Sequence, residues 1–379
     1  MLRRTAIVVF AALALAWPGS SFAQEPPPVK ARAVIVATGA GEIFYAKNAD
    51  RRLPMASITK LMTALLTLER ARPNQIVTVR GPAPSVGEST FDLRTGERLS
   101  VRDLLTAALV QSANDAAYAL AAYVGKGKVP VFVHLMNQRA KELGLDETHY
   151  ARPDGLDAPR HYSSARDTLD IARADMAIRV FKRIVRRRGG VIAGRQLYAW
   201  NDLLKTYPGA IGVKTGHTDR AKWCEVAAAT RDHVTIYAVI LGSPSRARRN
   251  ADLSALLDWG FGHYGRVQLI AAGKTYASAE IPFSDSRLSL VAQRGTERVV
   301  RLGNPLVERV IAPGRVKGPV RRGEKLGEIR VYDGNRMVAR RALVAAEAVA
   351  KPSLGRRVGW YAGRALDEAR DMLGTLSPF

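Results

Sequence analysis

The sequence predicts an α/β fold of the α+β kind. An antiparallel sheet is assembled from both ends of one segment with a helical block inserted between its strands, and a small all-β domain and an amphipathic C-terminal helix follow. Three observations predict it. Strand-like apolar runs at 33–45 and 210–241 bracket a stretch of mostly helical periodicity. Past residue 264 the texture changes to short strands separated by turn residues. The last segment, 351–379, carries a single apolar stripe at helical spacing.

Bulk properties bound the reading. A chain of 379 residues, 47% hydrophobic and 24% charged, is globular and long enough for two or three domains. Residues 1–23 read as an export leader: Arg3 and Arg4, an apolar run over 6–17 too short to span a bilayer, then Ser21-Phe22-Ala23 before a cut at Gln24. The formal charge of +24 falls to +22 without Arg3 and Arg4, a surplus that favours an anionic membrane surface or a carboxylate-bearing substrate. Export argues against nucleic acid as the partner. Cys224 is the only cysteine, which excludes an internal disulfide and a cysteine-based zinc site. The six histidines show no HExxH or comparable spacing, so neither a metal nor any other cofactor is expected.

Taken in order, 24–28 is a Pro-rich lead-in. Residues 33–37 and 42–45, joined by the turn Thr38-Gly39-Ala40-Gly41, read as a hairpin. Pro54 suits a helix entrance, and Ile58, Leu61, Met62, Leu65 and Leu66 then recur at helical spacing. Ser100 and Asp103 resemble a capping box ahead of Leu104, Leu105, Ala108 and Leu109. Asn114 or Asp115 can cap the run 116–123, which puts Ser112 and Asn114 in the break between two helices. The charge run 182–188 reads as a solvated helix face. Strands are expected at 210–216, 224–229 and 235–241, and a helix at 251–260 closes a unit spanning 24–263. The all-β domain, 264–350, has strands at 267–270, 288–291, 299–302, 329–331 and 337–344, with Asp333-Gly334 as a hairpin tip. In the tail, Leu354, Val358, Tyr361, Ala365, Ala369, Met372 and Leu376 share one helical face beside Trp360. Arginines flank that face, which fits a helix lying in a membrane interface.

The chemistry gathers at Ser57-Ile58-Thr59-Lys60. On a helix, residues three apart share a face, so a hydroxyl and an amine stand side by side at the positive end of the helix dipole. A serine becomes a nucleophile when a base removes its proton. A lysine can be that base when desolvation or neighbouring cations lower its pKa.

With Ser57-Ile58-Thr59-Lys60, Ser112-Ala113-Asn114 and Lys214-Thr215-Gly216 in that order, the chain resembles the penicillin-recognising serine enzymes, above all the low-molecular-weight penicillin-binding proteins that act as D-alanyl-D-alanine carboxypeptidases. Asn48-Ala49-Asp50, the run 155–159, the run 162–167 and Trp259-Gly260-Phe261 add to the likeness, which covers nearly the whole mature chain. The resemblance implies a transpeptidase/β-lactamase-like domain, removal of the last D-alanine from peptidoglycan stem peptides, and β-lactams as covalent inhibitors. It implies that Ser57 attacks, Lys60 takes its proton, Ser112 relays a proton to the leaving amine and Asn114 hydrogen-bonds Lys60 and the substrate. Lys214, Thr215 and Arg249 would meet the terminal carboxylate. Gly216 would let the substrate lie against the strand edge, and the backbone N–H groups of Ser57 and His217 would form the oxyanion hole. The protein is expected at the periplasmic side of the cytoplasmic membrane, attached peripherally. Three departures from the pattern stand out: Ala113 for a glycine, Asp154 for a frequent histidine, and Lys222-Trp223 for a small pair. Rival readings are a DD-endopeptidase, a class A-like β-lactamase, which would need an acidic deacylation loop and would lack the β domain, and a non-catalytic wall-binding scaffold.

Overall fold

The computed structural model describes residues 7–9 and 25–374. Apart from 7–9, the expected leader and its cut before Gln24 lie outside the described residues, as does Leu376 of the tail stripe. Ile7–Val9 (β1) forms a short strand. The chain divides into two compact units, one of Gln24–Gly262 and one of His263–Phe379 together with Met1–Ala23.

The first unit is built on a five-stranded antiparallel sheet. Ala33–Thr38 (β2) and Ile43–Lys47 (β3) form the expected hairpin. Between them and the remaining strands of that sheet the chain makes its helical block. The block comprises Lys60–Arg70 (α1), the strand pair Ile76–Thr78 (β4) and Arg98–Ser100 (β5), Val101–Thr106 (α2), Asn114–Val124 (α3), Val129–Glu142 (α4), Ala165–Ala177 (α5), Arg179–Val185 (α6), the hairpin Gly189–Ile192 (β6) and Arg195–Tyr198 (β7), and the single turn Leu203–Thr206 (α7). Ala210–Thr218 (β8), Lys222–Arg231 (β9) and Val234–Ser243 (β10) then complete the sheet in the order β3-β2-β10-β9-β8, and Arg246–Gly262 (α8) closes the unit.

All six residues of β2 are buried because the sheet is covered on both faces. Strand alternation sends Ala33, Ile35 and Ala37, with Cys224, Val226 and Ala228 of β9, into the core shared with the helical block. Val36 and Ile236 point the other way, against Gly260 of α8. The same alternation puts Lys214 on the block side of β8 and Thr215 on the α8 side. Since β8 is an edge strand, one row of its backbone groups is left facing outward.

Local expectations fare unevenly. Ser100 Oγ accepts from the Asp103 N–H at 3.0 Å, so α2 is capped as read, although the Asp103 carboxylate takes the Ser100 hydroxyl rather than a backbone donor. The cap expected of Asn114 or Asp115 is not made: α3 starts at Asn114 with no side-chain cap. Asp115 is drawn instead to the backbone N–H groups of Phe91 and Leu93, tying down the 86–93 segment.

In the second unit Tyr264–Ile270 (β11) pairs with Thr296–Arg301 (β14). Thr275–Glu280 (β12), Arg287–Ala292 (β13), Leu306–Ala312 (β15), Lys325–Asp333 (β16) and Arg336–Ala345 (β17) form a sheet with β1, in the order β1-β15-β16-β17-β13-β12. Strands β12 and β15 were not expected from the sequence. The first is mostly small and polar, and Glu308-Arg309 interrupts the apolar alternation of the second. Leu354–Gly374 (α9) follows, with Leu354, Val358, Tyr361 and Leu366 exposed. Phe283 meets Trp360 and Tyr361 edge-on at 5.7 and 5.8 Å. Among the described residues no helix is long and apolar enough to cross a membrane.

Candidate active site

Ser57 lies in a tight 3₁₀ turn, Ala56–Thr59, and Lys60 is the first residue of α1. Ser57 and Lys60 therefore do not share the α-helix as the sequence suggests: the helix begins only at Lys60, and Pro54 stands before the turn rather than at the helix entrance. The turn is held from several sides. Leu53 exchanges backbone hydrogen bonds with Ser163. Thr59 Oγ1 donates to the Ala56 carbonyl at 2.9 Å and lies 2.8 Å from His161 Nε2. His161 Nδ1 accepts from the Ala151 N–H, so Nε2 is the protonated nitrogen and donates to Thr59. Burial brings the His161 pKa down to about 4, against the pull of Asp154, and keeps that ring neutral. Gly155, at φ +94°, fits over the turn where any Cβ would come within 2.1 Å of the Ala56 oxygen.

Lys60 is 1% exposed and its Nζ has three neighbours: Ser57 Oγ at 2.8 Å, Asn114 Oδ1 at 2.7 Å and the Asp154 carbonyl at 2.7 Å. The last two atoms can only accept. A neutral amine has two protons to give them and one lone pair left, and that lone pair faces the Ser57 hydroxyl. Burial lowers the Lys60 pKa to about 8, opposed by Asp154 and assisted by Arg152. The Asp154 carboxylate itself is turned onto Arg152 at 2.5 and 2.9 Å, so in the place of the frequent histidine it contributes its backbone carbonyl to the base.

Ser112 closes a wide π-type turn, Ala107–Gln111, in the left-handed region at φ +65°. That conformation delivers its hydroxyl to Lys214 Nζ, 2.9 Å away. Ala113, by contrast, has an ordinary φ of −59°, so the methyl that replaces glycine there costs no backbone strain. Lys214 is 1% exposed, and its pKa is pushed well down by burial, then by Lys60 and Arg249, with Glu225 pulling the other way. Gly216 runs beside the nucleophile: a methyl at that position would reach 3.0 Å from the Ser57 nitrogen. Trp223 stacks on His217 with ring centroids 4.1 Å apart. Arg249 lies on the α8 side, 1% exposed, with Nε 2.8 Å from Glu225 Oε2.

One groove is lined by Ser57, Ser112, Asn114, Thr215, Gly216, His217 and Arg249, so eight of the nine residues singled out in the sequence touch it or, like Lys60, touch its serine; the ninth, Lys214, holds Ser112. Sequence reasoning missed Glu88, Ser89, Trp200 and Arg246, which also line it. Only Trp200, an aromatic in a polar turn, carried any signal. Among the described residues no group of acids, histidines and cysteine could hold a metal ion.

The profile of the peptidase S11 family, D-alanyl-D-alanine carboxypeptidase, matches residues 20–245. The chain is 32% identical over 373 residues to D-alanyl-D-alanine carboxypeptidase DacD of Salmonella typhimurium, covering 92% of this chain and 94% of that protein. Over 338 residues it is 29% identical to DacF of Bacillus subtilis, covering 84% and 85%. Among solved structures, the D-alanyl-D-alanine carboxypeptidase DacD of Francisella tularensis superimposes with a TM-score of 0.63 at 25% identity, covering 90% of this chain and 99% of that one. Penicillin-binding protein 5 of Haemophilus influenzae does so with a TM-score of 0.62 at 27% identity, covering 86% and 99%.

Proposed function

Because the chain belongs to the D-alanyl-D-alanine carboxypeptidase family of serine peptidases, and is a carboxypeptidase of that kind, we propose that Ser57 is its nucleophile and Lys60 the base that activates it. The observation that carries this assignment is the 2.8 Å approach of Lys60 Nζ to Ser57 Oγ, with the other two neighbours of the amine both acceptors. The substrate is a peptidoglycan stem peptide ending in D-alanyl-D-alanine, laid along the open edge of β8 as an added strand. Ser57 Oγ attacks the carbonyl between the two D-alanines as its proton passes to Lys60. The backbone N–H groups of Ser57 and His217 receive the negative oxygen. The leaving amine then takes a proton through Ser112, which Lys214 holds in place, and D-alanine departs. Water attacks the remaining ester and frees Ser57. Thr215 and Arg249 grip the terminal carboxylate. β-Lactams acylate the same hydroxyl, and their opened ring stays in the groove.

The test is D-alanine release from a muropeptide ending in D-alanyl-D-alanine, followed by mass spectrometry. The wild type should release it and Ser57→Ala should not; equal release from both would end this mechanism. Labelled penicillin should attach at Ser57 and nowhere else.

The location is part of the same reading. Residues 1–23 direct export and are removed, so the mature chain starts at Gln24 on the periplasmic side of the cytoplasmic membrane. The exposed apolar side chains of α9, flanked by arginines, support a peripheral attachment to an anionic membrane surface. Deletion of 351–379 should move the protein from the membrane pellet to the supernatant with activity on soluble peptide intact. Unchanged partitioning would rule out the anchor.

A further inference from the structure

Glu225 is the one acidic side chain buried against the cationic wall of the groove, and the reaction as written does not use it. It lies on β9 directly across from Thr215 of β8 and beside Ile240 of β10, so it shares the α8 face of the sheet with the threonine that meets the substrate. It is 0% exposed. Its contact is Arg249 of α8, whose Nε stands 2.8 Å from Oε2, yet neither carboxylate oxygen has a hydrogen bond of good geometry. Arg249 also reaches Asn250 Oδ1 at 2.7 Å and lies 3.8 Å from Asp202 Oδ2. A guanidinium so placed is shared: part of its charge answers Glu225 behind it and part faces the groove.

We propose that Glu225 is a positioning residue for substrate capture: it fixes the Arg249 guanidinium against the sheet and neutralises part of the charge that Arg249 offers to the terminal carboxylate. This rests on the reading that Arg249 grips that carboxylate. Protonated, Glu225 still lies against Arg249 but no longer opposes its charge, and the groove then holds the carboxylate more tightly. The protonation falls in a usable range, because burial raises the Glu225 pKa to about 7 against the opposing pull of Arg249. The other charged groups facing it are Asp202, ahead of α7, which raises its pKa further, and Lys214 of β8 and Arg246 of α8, which lower it. The effect belongs to binding, since Glu225 touches neither Ser57 nor Lys60. It therefore appears in KM, while the titration of Lys60 appears in the acylation rate.

The experiment measures KM and kcat for a soluble free-acid peptide ending in D-alanyl-D-alanine from about pH 6 to pH 8.5, a range that brackets the protonation. The proteins compared are the wild type, Glu225→Gln and Arg249→Leu. The wild-type KM should rise with pH. Glu225→Gln, which keeps the shape of the side chain and removes the charge, should give a KM roughly three- to tenfold lower at pH 8 and flat across the range, with kcat within about twofold of the wild type. The terminal-amide analogue, tested as a competitor, should bind equally to wild type and Glu225→Gln. A Glu225→Gln KM that follows the wild-type pH profile, or a fall in kcat with KM unchanged, would overturn the proposal, as would a pH-independent wild-type KM if the variant fails to fold. An unchanged KM in Arg249→Leu would instead overturn the carboxylate assignment beneath it.

Discussion

The two units of this chain treat charge in opposite ways. In Gln24–Gly262, Lys60, Lys214, Glu225, Arg249, Asp154 and Asp175 are all at most 1% exposed. In the second unit the buried polar side chain among the described residues is Thr296, and the charges sit outside in pairs such as Arg315–Glu280 and Arg340–Glu328. Removing a charge from water is expensive unless something is gained from it. Apart from Asp175, the first unit accepts that cost around one serine, where desolvation converts an ordinary lysine into a base. The second unit has no such need, and its sheet is covered with solvated arginines. Where charge is buried is thus a guide to where chemistry is done.

The sharpest way to break this contrast is to remove the buried base. Lys60→Met should slow acylation by labelled penicillin by at least about a hundredfold, the range of a lost general base, while Arg330→Met on β16 should leave it unchanged. The pH profile follows from the same burial. Below about pH 8 Lys60 is protonated and cannot take the serine proton, so the wild-type acylation rate should climb as pH rises through that value and then level off. A rate independent of pH between 6 and 9, or a loss under tenfold in Lys60→Met, would show that burying the amine has no catalytic purpose.

Two buried groups of the first unit should respond to pH in opposite senses. His161 has a folded pKa of about 4 against 6.5 unfolded, so the unfolded chain binds its proton first and stability falls as pH drops from 6.5 toward 4. That loss amounts to about 3 kcal/mol, and His161→Gln should abolish it in denaturant titrations at successive pH values. Asp175 of α5 is 0% exposed with neither oxygen hydrogen-bonded, and burial holds its pKa well above 3.8. A raised carboxyl stabilises the fold at low pH and withdraws that contribution as pH rises. Asp175→Leu should therefore gain about 2 kcal/mol at pH 7 and less at pH 4. A destabilised Asp175→Leu would mean that this carboxyl has a partner and an unrecognised function.

The reach of the sequence follows the same division between local and long-range causes. Ser57 and Lys60 were legible because spacing alone brings them together, and the β2–β3 hairpin and α2 because their signals are consecutive. Asp115 was misread as a cap because the stronger claim on it comes from Phe91 and Leu93, more than twenty residues earlier. His161 and Glu225 gave no signal at all. The first looks like any loop histidine, and the second occupies one position of a strand whose alternation does not say that an arginine waits on that face. Strands β12 and β15 escaped because pairing with their neighbours, rather than their own composition, makes them strands.

The finest test compares two ion pairs of the same chemistry. Arg249–Glu225 is closed off from water, whereas Arg315 and Glu280 meet at 3.2 Å with side chains 66% and 52% exposed. In the exposed pair water screens the attraction, and two long side chains lose freedom to make it, so little net stability remains. Arg315→Ala should lower stability by less than about 1 kcal/mol in urea titrations, and molar salt should erase the difference, since the Debye length then falls to about 3 Å. A loss above about 2 kcal/mol that persists in salt would place a structural ion pair in the second unit. Buried charge would then no longer be what sets the catalytic unit apart.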